Sequence, residues 1–107
     1  MPKKLKVEFL LPLKYNNGTD VEPEKLYEVR EKIVSLFGAV TIHPLSTVGV
    51  WIDPLTQQKY YDSCRRFEVA IDQSPDTENL LKTLKEDFKK IFQQEEIFMY
   101  YSEITLI

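Results

Sequence analysis

The period of the apolar residues changes along this chain in a set order, and that order constrains the fold more than any single residue does. Residues 4–12 alternate: Leu5, Val7, Phe9 and Leu11 fall on one side, and Lys4, Lys6, Glu8 and Leu10 on the other. That is the period of a strand with one buried face. Over 23–37, Leu26, Val29, Ile33, Leu36 and Phe37 recur at three- and four-residue spacing, the stripe of an amphipathic helix. Extended β-branched sequence follows over 40–52; it is interrupted by Pro44, a mark of an edge strand or a bulge, and resumes at Thr47. Residues 60–72 alternate again, with Phe67, Val69 and Ile71 opposed to Arg66, Glu68 and Ala70. A second helical stripe, Leu80, Leu81, Leu84, Phe88, Ile91 and Phe92, occupies 75–93, and a closing strand covers 97–106.

The segment ends carry matching signals. Pro23 suits a first helical position, where its missing N–H costs nothing, and Glu22 and Glu24 complement the positive end of the helix dipole. Glu28 and Lys32 are spaced for an i,i+4 ion pair. Gly38 stops the helix by taking a left-handed conformation. Asn16-Asn17-Gly18 and Asp53-Pro54 are turn sequences, and Ser74-Pro75 is spaced as an N-cap and first-turn proline.

Taken in order, these segments read βαββαβ. They predict a single α+β domain over 1–107: a ferredoxin-like two-layer sandwich with a four-stranded antiparallel sheet and two helices on one face. Right-handed crossovers give the strand order 4-1-3-2. The other sheet face is then open. It should carry Lys4, Lys6, Glu8, Leu10, Arg66 and Glu68, with either Phe98, Tyr100 and Ser102 or Met99, Tyr101 and Glu103 from the last strand. A one-residue register shift exchanges those two sets.

Composition excludes several classes. With a formal charge of −3 the chain lacks the basic excess that replaces counterions on a duplex, and acidic residues surround the small cluster Lys3, Lys4 and Lys6. The single cysteine, Cys64, permits no intramolecular disulfide. The N-terminal apolar run is broken by Lys6, Glu8 and Pro12 and lacks a small-residue cleavage site, and no run approaches the ~20 apolar residues of a membrane span. A cytoplasmic protein without membrane association is expected.

Few residues point to chemistry. His43, the only histidine, is a candidate general base beside the Pro44 irregularity, although a polar residue at a sheet edge is the plainer reading. Cys64 is a candidate nucleophile that shares a strand face with Arg66 but has no adjacent base. Glu68 could pair with Glu8 for acid–base work, as Glu8 could with Glu103, yet Lys6 and Arg66 on the same face favour plain ion pairing. One histidine and one cysteine fall short of a structural zinc site, and neither a metal nor a cofactor is expected. Trp51, Tyr60, Arg66 and Tyr101 are candidate ligand-binding or interface residues, since aromatic side chains and arginine give contact area at low entropic cost. Stacking of single-stranded RNA on such an open face would need an RNP1-like pattern, which CRRFEVAID at 64–72 does not supply.

The stretch Phe37-Gly38-Ala39-Val40-Thr41-Ile42-His43-Pro44, followed by Gly49-Val50-Trp51, resembles a small bacterial domain family of unknown function. That family has an F-G-G-x-T-x-x-P core, a following G-x-W and a late F-x-Q-E segment, which Phe92-Gln93-Gln94-Glu95 matches loosely. Ala39 stands where the family has its second glycine. The resemblance implies a compact α+β domain and no catalytic residues.

Three functions are compatible with these observations. The leading expectation is an interaction module that self-associates, as a dimer, through its open sheet face or its edge strands. The alternatives are a small enzyme or ligand-binding protein with a site near His43 and the hairpin, and a single-stranded RNA-binding domain.

Overall fold

The computed structural model describes residues 3–107. Its elements are β1 (Lys3–Pro12), α1 (Pro23–Phe37), β2 (Thr41–Ile42), β3 (Thr47–Ile52), β4 (Lys59–Ile71), α2 (Thr77–Ile91) and β5 (Phe98–Thr105). The strands form one antiparallel sheet ordered β2-β4-β1-β5, with β3 continuing alongside β4 beyond β2. This is the expected order, and the ferredoxin-like sandwich stands, with five strands in place of four.

The extra strand arises at Pro44. Ile42 pairs with Phe67 and Thr47 pairs with Cys64, so five steps on one side oppose three on the other. The two surplus residues form a bulge that splits the expected strand into β2 and β3. Arg65 fastens this break by donating to the carbonyls of His43 and Pro44. Because the surplus is even, inward and outward positions keep their parity across it.

The core lies between the sheet and both helices. Leu5, Val7, Phe9 and Leu11 of β1 and Phe67, Val69 and Ile71 of β4 are buried with Val29 and Ile33 of α1 and Leu81, Leu84 and Phe88 of α2. The rings of Phe9 and Phe88 meet edge to face, with centroids 5.7 Å apart. Leu36 and Leu80, expected on the apolar stripes, are instead exposed near the ends of the two helices.

Both helix ends show local corrections. Gly38 caps α1 at φ 82°, and its N–H donates to the Val34 carbonyl. Lys32 pairs with Asp87 of α2 at 2.9 Å, which ties the helices together where an i,i+4 pair with Glu28 was expected. Helix α2 begins at Thr77, two residues after Pro75, with Asp76 at the N-cap. The buried Thr77 hydroxyl accepts from the Ser74 N–H, so Ser74 organises the entry turn without capping the helix.

Candidate functional site

The sheet register decides what the open face carries. Val7 opposes Tyr101 and Phe9 opposes Met99, so Met99, Tyr101 and Glu103 share the helix side. Phe98, Tyr100 and Ser102 therefore lie on the open face. Thr41 opposes Glu68, and the His43 N–H donates to the Arg66 carbonyl, which continues β2 along β4. Lys6, Glu8, Arg66, Glu68, His43 and Tyr100 thus meet at the centre of the open face.

Two carboxylates organise this cluster. Glu8 and Glu68 are direct cross-strand partners, a like-charge pairing that destabilises a sheet unless cations intervene. Lys6 lies 3.8 Å from Glu8 and 3.2 Å from Glu68, and Arg66 reaches Glu8 at 3.2 Å. Glu8 is 6% exposed although it faces away from the helices, because its neighbours' side chains cover it. The Tyr100 hydroxyl, donating to Glu8, is the main cause that holds this carboxyl below its usual range; Lys6 and Arg66 add to the effect and burial opposes it. The same contact raises the Tyr100 hydroxyl, and the hydrogen bond to Glu68 raises the Lys6 ammonium.

His43 joins the cluster from β2's end. Its Nε2 lies 3.4 Å from a Glu68 carboxylate oxygen, near enough for an ion pair when protonated. The geometry makes no hydrogen bond, so the buried Nε2 has no partner. Cys64 shares the strand face of Arg66 and Glu68 but pairs with Thr47, on the far side of the bulge from His43. Burial, with a smaller contribution from Asp62, pushes its thiol up, away from the thiolate that a nucleophile needs. His43 and Glu68 therefore come together and Cys64 does not complete them. Glu103, considered as a partner for Glu8, projects on the opposite side. No group of three or more histidine, cysteine or acidic side chains among the described residues is arranged to hold a metal ion.

Beyond the bulge, β3 and the first residues of β4 form a two-stranded arm. Among the described residues β3 pairs with β4 alone, and the residues of the pair are mostly exposed. Trp51 and Tyr60 stack on it with centroids 4.7 Å apart, and the Trp51 Nε1 donates to Asp62 at 2.8 Å. Val48, Val50, Ile52 and Tyr61 are each at least half exposed. The sequence singled out Trp51 and Tyr60 but not the three aliphatic residues, whose alternation reads like that of any half-buried strand.

Tyr101 sits elsewhere. With Val7, Leu81, Lys82, Lys85 and Met99 it lines a groove of about 350 Å³ between α2 and the free edge of β5. Tyr100, not Tyr101, belongs to the charged cluster. Only the β1–β5 register distinguishes them, and no residue pattern in the sequence fixes it.

No family model matches this sequence, and no curated protein matches it. Solved structures do resemble it in three dimensions. A phage SAM lyase in complex with S-methyl-5'-thioadenosine superposes with a TM-score of 0.68 at 12% identity, over 96% of this chain and 90% of that one. The divalent cation tolerance protein from Thermus thermophilus gives 0.61 at 16% identity, over 98% and 86%. A B. subtilis GlnK–ATP complex gives 0.59 at 11% identity, over 95% and 82%. What these proteins share with this chain is the fold. Among the described residues, no helix is long and apolar enough to cross a membrane.

Proposed function

We propose that the protein is a small cytoplasmic interaction module that self-associates through its sheet edges and open face. The arm carries this reading. A two-stranded ribbon is marginal in water, and this one exposes Val48, Val50, Trp51, Ile52 and Tyr61 together. Such an element gains stability when a second surface covers it. The open face suits a homotypic contact: Lys6 and Arg66 balance Glu8 and Glu68, and Lys4 is paired with Asp72, so a second copy meets no net like charge. The same balance offers no positive surplus to a polyphosphate chain. A dimer is the smallest assembly that satisfies the arm. Sedimentation over a micromolar concentration series tests this: a mass above one chain that rises with concentration is expected, and a single-chain mass throughout overturns it.

A second reading places a small-molecule site beside His43 and the β2–β3 segment. It draws support from two of the structural neighbours, which hold S-methyl-5'-thioadenosine and ATP, and from the unpartnered His43 Nε2. Calorimetric titration with those two compounds tests it. Binding that His43→Ala and Arg66→Ala both weaken supports the site, and the absence of heat with either compound removes it.

A further inference from the structure

Two features of this molecule lack partners and match one another. The first is the free edge of β5, which ends the sheet opposite β2. Residues 98–105, FMYYSEIT, contain neither proline nor lysine, and among the described residues no strand pairs with their outer backbone groups. Natural proteins usually protect such an edge by charge, proline, twist or a covering element, because it otherwise recruits another strand. Beside this edge, on the helix side, runs the groove floored by Val7, Leu81 and Met99 and bordered by Tyr101, Glu78, Lys82 and Lys85.

The second feature is β3, six residues long, whose outer edge is free beyond the bulge. The register puts Val48, Val50 and Ile52 opposite Ser63, Tyr61 and Lys59, positions that share the parity of Phe67 and Val69. The aliphatic row of β3 therefore belongs to the helix side of the sheet. Within one chain β3 runs antiparallel to β5, so a second copy set beside the first pairs the two edges antiparallel, and in that arrangement its helix-side residues continue the helix side of the host.

We infer that β3 of one copy adds to the β5 edge of another, seating Val48, Val50 and Ile52 over the groove between α2 and β5. This rests on the self-association reading and names its contact. Backbone hydrogen bonds join the two free edges, and the aliphatic row covers Met99 and Leu81. The groove's border is charge-paired, with Lys82 3.9 Å from Glu78 and Lys85 2.6 Å from Glu96, so it presents no uncompensated charge to the incoming aliphatic row. One such strand buries less than the ~1,600 Å² in total that is typical of a stable specific pair. The contact is therefore repeated, either reciprocally in a dimer or head to tail around a closed ring.

The test mixes two full-length variants under mild oxidation, both carrying Cys64→Ser, one with Val50→Cys and the other with Tyr101→Cys. Mixed disulfide-linked pairs are expected, in clear excess over those given by Val50→Cys with Glu24→Cys on exposed α1. Linking of the Val50→Cys chain to itself alone, or no excess over the Glu24→Cys control, overturns the seat. In a parallel arm, Val50→Lys is expected to weaken association at least about tenfold, because an ammonium then faces the apolar groove. Unchanged association of Val50→Lys overturns the seat and leaves self-association through the open face standing. A wild-type chain that stays single across the micromolar range overturns both.

Discussion

Glu8 and Glu68 stand directly opposite one another on neighbouring strands, and a single ammonium, Lys6, bridges the two. Lys6→Met keeps the stem and removes that charge. Because Lys6 is more than a third exposed, water screens much of the loss, and only a small destabilisation at neutral pH is expected. Adding Glu68→Gln should recover most of it by removing one of the two repelling charges. Urea unfolding of the single and double variants measures the coupling.

Acid should act through Glu8. Its carboxyl is held low in the folded chain, chiefly by Tyr100, and returns to about 4.3 when the chain unfolds. Between those two values the unfolded chain binds more protons, so stability rises with pH there. The contribution is complete above about pH 5 and is lost as pH falls through the depressed value. Glu8→Gln should flatten that part of the stability–pH curve. An unchanged slope between roughly pH 3 and pH 5 would count against the assignment.

Phe88 contributes more than any single ion pair. It is fully buried and meets Phe9 edge to face. Phe88→Ala removes the ring and leaves a cavity, for an expected loss of about 3–5 kcal/mol, measurable as a lower denaturation midpoint. Lys32→Ala, which breaks the bridge to Asp87 between the helices, should cost no more than about 1 kcal/mol.

Gly38 is required by its backbone alone. A Cβ placed there meets nothing within 4 Å, yet φ is 82°. Gly38→Ala should therefore cost about 1–2 kcal/mol through conformational strain, and Gly38→Asn distinctly less, because asparagine visits this region more readily. Thermal unfolding of the pair separates strain from contact.

Trp51 should matter locally. Its stack on Tyr60 and its bond to Asp62 rigidify the arm, which lies off the core. Trp51→Ala is expected to change global stability by less than about 0.5 kcal/mol while accelerating amide exchange over 47–63.

Most of the fold was legible because burial has a period. The alternation of Leu5, Val7, Phe9 and Leu11 and the stripe of Val29 and Ile33 each name a face, and those faces meet in one core. The helix ends were less legible. Ser74-Pro75 has the spacing of a cap, but the Thr77 hydroxyl takes the Ser74 N–H and the helix starts later. The charged cluster was half legible: the alternation of β1 and β4 placed Lys6, Glu8, Arg66 and Glu68 together, as the structure does. Tyr100 was not, since its choice over Tyr101 depends on how β5 registers against β1, which no local preference encodes. Pro44 announced an irregularity. That the surplus is two residues, keeping Val48, Val50 and Ile52 on the helix side, emerges only from the pairing.

Strand β4 runs without interruption for 13 residues, from Lys59 at the arm to Ile71 in the core. The arm is therefore joined to the core by one unbroken strand, with the break at Pro44 confined to its β3 side. A pull on its tip is carried along β4 to Arg66 and Glu68 in the middle of the sheet.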